Sequence, residues 1–146
     1  MITHENSLKE EILIKYKPDA LRLLRYLSWF EAKRGQSVSN IYRGEPGSET
    51  IPFPTYEPTL LAFVKEAKNS TFLDRNYPYV FTRNHIKSPA DSRNMIESAK
   101  LTDIDILRGI LSKYVIEGSH RSSCWIEAVN EDIFLLILKK FEKLFT

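Results

Sequence analysis

Cysteine is nearly absent: Cys124 is the only one in 146 residues. A single thiol forms no internal disulfide and offers no Cys pair for zinc, which points to a reducing cytoplasm. The opening stretch Met1-Ile2-Thr3-His4-Glu5 has neither the basic start nor the apolar run of a secretion signal, which points the same way. Long apolar runs are missing too. The longest, Ile133–Leu138, is six residues, against the roughly 20 a membrane-spanning helix needs. Charge of one sign is not in excess: 21 basic against 19 acidic residues give +2, too little for a protein that coats nucleic acid. There is no G-x-x-x-x-G-K-[ST] phosphate loop, no G-x-G-x-x-G, no G-x-S-x-G elbow and no H-E-x-x-H. His4, His85 and His120 are far apart in the chain. Neither a cofactor nor a metal is therefore expected.

What is present is helical periodicity. Ser7 with Glu10 is a capping-box pair, and Leu8, Ile12, Leu13 and Tyr16 continue it as a short helix. Residues 1–6 are expected to fray. Pro18 suits the first turn of a new helix, with Leu21, Leu24 and Leu27 on one face and an end near Gly35. Residues 36–57 lose the pattern. Gly44, Pro46, Gly47, Pro52 and Pro54 predict a long irregular loop, in which Ile41-Tyr42 and Ile51-Pro52-Phe53 can form short edge strands. Glu57–Asn69 reads as helix, with Leu60, Phe63, Val64 and Ala67 on one side. Thr71–Ile86 is the best strand candidate, from Tyr77, Tyr79, Val80, Phe81 and Thr82, although Pro78 confines it to an edge. Ser88-Pro89 opens another short helix to about Ala99.

Leu101–Thr146 reads as three consecutive helices. Thr102 is a good N-cap, and Asp103 and Asp105 put negative charge in the first turn. Ile104, Leu107, Leu111 and Tyr114 follow at helical spacing, and Ile106, Ile110 and Val115 widen the stripe to that of a central, deeply buried helix. Gly109 would let another helix approach closely, and Gly118 is placed to end this one in a left-handed conformation. Ser119 can cap the next helix, which carries Cys124, Trp125, Ala128 and Val129; Asn130 breaks it, and Asp132 opens a buried final helix.

Two stretches resemble a family of small bacterial proteins known only as a domain of unknown function. One is Leu23-Leu24-Arg25-Tyr26-Leu27-Ser28-Trp29-Phe30-Glu31. The other runs from Ala99-Lys100-Leu101 through Leu107 and Leu111 to the Glu117-Gly118-Ser119-His120 turn, Ala128 and the Ile137-Leu138-Lys139-Lys140 helix. The family's turn is Glu-Gly-His, preceded by Arg and an aromatic; here Ser119 stands between Gly118 and His120, and Val115 and Ile116 precede the turn. The resemblance spans residues 20–145. It implies a compact, mainly helical bacterial domain with no established reaction.

Candidate chemistry gathers at that turn. His120 beside Glu117 could act as a general acid/base, or could simply hydrogen-bond the preceding loop. Ser119, His120 and Arg121 would place backbone N–H groups and a guanidinium around one helix start, which suits a phosphate or carboxylate. Arg83 and His85 would join them only if the fold brings them near. The ordinary reading is a structural loop held by an ion pair. Arg22, Arg25, Lys33 and Arg34 with Trp29 form a basic stripe with an aromatic, suited to a nucleic-acid strand or to a solvated helix face. Trp29, Tyr42, Tyr56, Tyr77 and Tyr79 fall outside the clear stripes; aromatics with Arg anchor protein interfaces, and Trp29, Tyr42, Arg43 and Tyr56 are the interface candidates.

The expectation is a mainly α, compact single-domain helical fold over residues 1–146, with room for two short edge strands in the central region. It is read as a cytoplasmic bacterial protein-binding module without membrane attachment. One alternative is a small enzyme or anionic-ligand-binding domain centred on Glu117, His120 and Arg121, and another is a nucleic-acid-binding protein.

Overall fold

Helix α1 (His4–Leu23) runs without a break through Pro18. The computed structural model describes residues 4–42, 44, 47, 53–121 and 123–146. Two helices meeting at Pro18 were expected. Pro18 cannot donate to the carbonyl of residue 14, but Pro18 and Ile14 both lie on the exposed face, Ile14 being 72% exposed. That carbonyl is therefore open to solvent, and the helix continues. Ser7 lies within α1 rather than capping it, and the stretch expected to fray is helical from residue 4. A 3-10 turn (Leu24–Tyr26) leads into α2 (Leu27–Ala32). The stripe Ile12, Tyr16, Ala20, Leu23, Leu27 and Phe30 is buried along the whole length.

The expected irregular loop contains two strands, β1 (Ser39–Tyr42) and β2 (Phe53–Tyr56). They pair antiparallel, Ser39 opposite Tyr56 and Tyr42 opposite Phe53. In a two-stranded ribbon each strand has an open edge, so Pro54 is tolerated in β2.

Helix α3 (Pro58–Lys68) buries Leu60, Phe63, Val64 and Ala67, the four residues its spacing indicated. The strand expected in Thr71–Ile86 is instead α4 (Tyr77–Arg83). Pro78 falls in its first turn, where a missing N–H is harmless. Val80 packs onto Gly109, and that tertiary contact overrides the β preference of the aromatic residues. Helix α5 (Pro89–Ser98) is capped by Ser88, whose Oγ accepts from the Asp91 N–H at 3.2 Å.

A 3-10 turn (Leu101–Asp103) precedes α6 (Ile104–Glu117). Thr102 is therefore not the cap; Asp103 Oδ2 accepts from the Lys100 N–H at 2.9 Å. Helices α7 (Ser123–Asn130) and α8 (Ile133–Phe145) complete the chain. Asp132, with φ 59, turns the chain between them. The apolar run of α8 is the centre of the core: Ile133, Phe134, Ile137, Leu138 and Phe141 are fully buried. Helices α1, α2, α5, α6 and α7 all pack on it. Phe134 contacts Phe30 and Phe63 at centroid distances of 5.8 and 5.0 Å, joining α2 and α3 to α8. Among the described residues no helix is long and apolar enough to cross a membrane.

Both glycines flagged in α6 serve close packing. A Cβ on Gly109 would lie 2.6 Å from Val80 Cγ1, so α4 depends on that position being empty. Gly118 is right-handed (φ −64, ψ −22), not left-handed as expected. Its constraint is steric: a Cβ there would fall 2.0 Å from Trp125 Nε1. Gly109→Ala is expected to destabilise the fold by about 1–3 kcal/mol through overpacking, read as a lower urea midpoint. Adding Val80→Ala should recover part of the loss, because the two side chains compete for one space. Strictly additive effects would contradict the contact.

Candidate functional site

The site begins with an irregular loop that enters the core. Beyond α3 the chain carries Phe72, which is fully buried between Tyr16 (5.2 Å) and Phe141 (4.4 Å), both rings stacked on it. A buried loop must find partners for its backbone, and side chains supply most of them here. Asp19, 8% exposed, accepts from Thr71 N at 2.7 Å and Thr71 Oγ1 at 2.8 Å. Ser112 Oγ donates to Phe72 O at 3.2 Å and accepts from Asp74 N at 2.8 Å. Arg108 Nη2 donates to Leu73 O at 3.1 Å. The loop is thereby fixed on three elements, and Arg75 projects from it on the exposed side.

The second part is the turn after α6. With Gly118 right-handed, the chain continues coiling past Glu117. Ser119 N donates to Ile116 O at 3.1 Å, and His120 N and Arg121 N donate to Glu117 O at 3.0 and 2.8 Å. The backbone donors expected to face an anion are spent closing α6, and α7 starts only at Ser123. The anion nest read from the sequence is not formed by these N–H groups. Nor is Ser119 a helix cap, because its hydroxyl donates back to Val115 O at 3.2 Å.

Side chains replace the nest. Lys68, Asn69, Arg75, Ser119 and His120 surround a surface cleft of about 330 Å³, floored by Leu73 and Ile116. That volume falls in the range of small-ligand pockets. Lys68 Nζ donates to Ser119 Oγ, which ties the end of α3 to the turn. Among the described residues no carboxylate lines the cleft. Among the described residues, Lys68, Arg75 and His120 form no ion pair. The carbonyls at the end of α3 are already closed by Asn69 N, Ser70 N and Ser70 Oγ. The three cationic or protonatable groups are thus not consumed in capping the helix end.

The remaining sequence candidates go elsewhere. Glu117 pairs with Lys113 at 3.5 Å and lies against the Tyr77 hydroxyl, outside the cleft lining. Arg121 is exposed and does not line the cleft. Arg83 lines a different cavity beside Asp74, Asp103 and Asp105, and His85 is exposed in the turn after α4. Every member of the basic stripe meets a carboxylate: Arg22 with Asp19 (3.2 Å), Arg25 with Glu66 (2.6 Å), Lys33 with Glu57 (2.7 Å) and Arg34 with Asp132 (3.2 Å). A stripe neutralised in this way has little charge to offer a phosphate backbone. Trp29 is half-buried edge-on to Phe30 at 5.0 Å, and Tyr56 is half-buried edge-on to Trp125 at 5.6 Å. Arg43 and the side chain of Tyr42 lie outside the described residues. Cys124 is a buried free thiol. Among the described residues no group of three or more His, Cys, Asp or Glu is placed to hold a metal ion.

Lys68 and Arg75 carry no local signal that would have singled them out. Lys68 reads as an ordinary cation at a helix C-terminus, and Arg75 belongs to a loop whose course only the core decides. No protein-family model, curated protein or solved structure matches this chain.

The Tyr77–Glu117 neighbourhood gives a pH prediction. Burial first, and then the Glu117 carboxylate, raise the Tyr77 pKa above its ordinary value of 10.0. The folded chain keeps that proton where the unfolded chain has released it, so stability falls as pH rises past about 10. Tyr77→Phe should flatten part of that fall in urea midpoints measured from about pH 9 to about pH 11. An unchanged slope would show that Tyr77 titrates alike in both states.

Proposed function

We propose that this chain is a small anionic-ligand-binding domain, taking a phosphate or carboxylate group in the cleft of Lys68, Arg75, His120 and Ser119. One observation carries the reading: three groups that are or can become cationic converge on one cavity in whose lining none of the described residues is a carboxylate. Unpaired like charges held together are unfavourable unless an opposite charge joins them. Arg75 offers a planar fork of donors and Lys68 a point charge, Asn69 supplies a neutral amide, and Ser119, whose O–H is committed to Val115 O, holds Lys68 in place. Leu73 and Ile116 provide an apolar floor for the body of the ligand.

Binding is favoured over catalysis. The Ser119 hydroxyl already donates to Val115 O, and Glu117 is engaged with Lys113 and Tyr77, so neither is arranged as a nucleophile or base beside His120. The expected protein partner rested on Trp29, Tyr42, Arg43 and Tyr56. Of these, Trp29 and Tyr56 have packing roles, and Arg43 and the side chain of Tyr42 lie outside the described residues. A bacterial, cytoplasmic setting belongs to this proposal through the resemblance of the turn and the single cysteine.

Titration calorimetry with phenyl phosphate, and with benzyl alcohol as the uncharged control, tests the reading. Phenyl phosphate is expected to bind saturably and the alcohol not at all. Lys68→Ala and Arg75→Ala should each weaken binding by about tenfold or more, the magnitude of one charge-assisted hydrogen bond. Arg34→Ala, which removes a paired cation outside the cleft, should leave it unchanged. Equal weak binding by all variants would reject the site.

A further inference from the structure

A second, smaller cavity of about 100 Å³ lies where the start of α5 meets α6 and α7. It shares no residue with the Lys68 cleft. Its walls include Phe81 and Ile86, and its polar groups are Lys87, Ser88, Ser92, Lys113, Tyr114 and Glu127. The volume matches about three water molecules at roughly 30 Å³ each, the size of one small oxyanion.

Ser92 is 1% exposed, yet its Oγ has no hydrogen-bond partner among the described residues. A serine inside a helix ordinarily bonds the carbonyl four residues back. Ser92 leaves that bond unmade, although its own backbone N–H does reach Ser88 O at 3.1 Å. Its hydroxyl faces Tyr114 closely enough to bear on the ionisation of the phenol, without forming a hydrogen bond of ordinary geometry. Buried native hydroxyls are nearly always paired, so an orphan on a cavity wall points to a missing occupant.

The surrounding groups define that occupant. Tyr114 is 2% exposed, and burial holds its pKa well above the usual phenol range, so the hydroxyl remains a donor. Its contact with Glu127 Oε1 is long, at 3.5 Å, and can be exchanged for a better acceptor. Lys113 Nζ lies over the Tyr114 ring at 4.7 Å from the centroid, and its pair with Glu117, at 3.5 Å, leaves donors over for a ligand. Donors therefore dominate, but Glu127, exposed at the cavity wall, is an acceptor that a ligand with its own O–H can meet.

We propose that the Ser92, Tyr114, Lys113 and Glu127 cavity binds a small oxyanion that carries its own proton, of the class of hydrogen phosphate or bicarbonate. Ser92, Tyr114 and Lys113 donate to its oxygens, and its hydroxyl donates to Glu127. Sulfate, similar in size to phosphate but without a proton at neutral pH, faces the Glu127 carboxylate with no donor and is rejected.

The test is amide NMR on the full chain carrying Lys68→Ala and Arg75→Ala, so that the larger cleft is silent and the two sites can fail separately. Phosphate and bicarbonate are titrated in turn and sulfate is the control. Saturable shifts are expected at Ala90, Asp91, Ser92 and Tyr114, with sulfate at least about tenfold weaker, the magnitude of one hydrogen bond to a charged group. Whichever of phosphate and bicarbonate binds tighter identifies the preferred shape. Glu127→Gln should remove most of the discrimination against sulfate. Ser92→Ala should weaken phosphate binding by about tenfold while leaving the thermal midpoint undiminished, since it deletes an unpaired buried hydroxyl. Tyr114→Phe keeps the ring and serves as a second variant. The proposal is overturned by absent shifts at these amides, by equal affinity for sulfate and phosphate in Lys68→Ala/Arg75→Ala, or by phosphate shifts that survive both Ser92→Ala and Tyr114→Phe.

Discussion

The insertion of Phe72 between Tyr16 and Phe141 is the contact on which the arrangement of the rest depends. It joins α1, the loop after α3 and α8 in one stack. Burying a phenylalanine is worth about 1.5–3 kcal/mol, but an irregular backbone must be brought inside with it. The balance is favourable only because Asp19, Ser112 and Arg108 accept from or donate to that backbone. Those three residues come from α1 and α6, so the loop doubles as the cement between the first and central helices. Arg75 stands on its exposed side and lines the cleft with Lys68 and His120.

Charge is disposed in two ways on this chain. Along α1 and α2 each cation of the basic stripe has a carboxylate within 3.2 Å, and pairs of this exposed kind contribute little beyond local order. In the cleft the cations have none. The contrast explains why a nearly neutral protein can still hold a locally basic cavity: the acidic residues are spent elsewhere. It also moves attention from the turn's backbone, which closes α6, to side chains from three separate elements.

Much of the fold could be read from periodicity. Helices α3, α5, α6 and α8 carry wide stripes or a Ser-Pro start, and for α3 the residues expected inside are those found buried. Two errors share one cause. Pro18 and Pro78 were read as local punctuation, whereas α1 tolerates proline on its wet face and α4 uses it in a first turn while Val80 docks on Gly109. Local preference gave way to tertiary packing in both places. Gly118 was correctly marked as special but for the wrong reason, since Trp125, not a positive φ, requires it. Ser119 and His120 were visible because they follow a helix end. Lys68 and Arg75 were not, because their convergence depends on Phe72 lying in the core, and no spacing in the chain records that.

The central claim is that an anchored loop, and not charge alone, creates the cleft. The most direct measurement is the affinity for phenyl phosphate in Ser112→Ala, a variant that touches none of the cleft's cations but leaves Asp74 N and Phe72 O without their partner. If the loop then populates other conformations, apparent affinity drops in proportion to the competent fraction, here by about tenfold, while the chain still unfolds cooperatively. Unchanged affinity in a folded Ser112→Ala protein would contradict the account, because the cations would be shown to bind without the anchor.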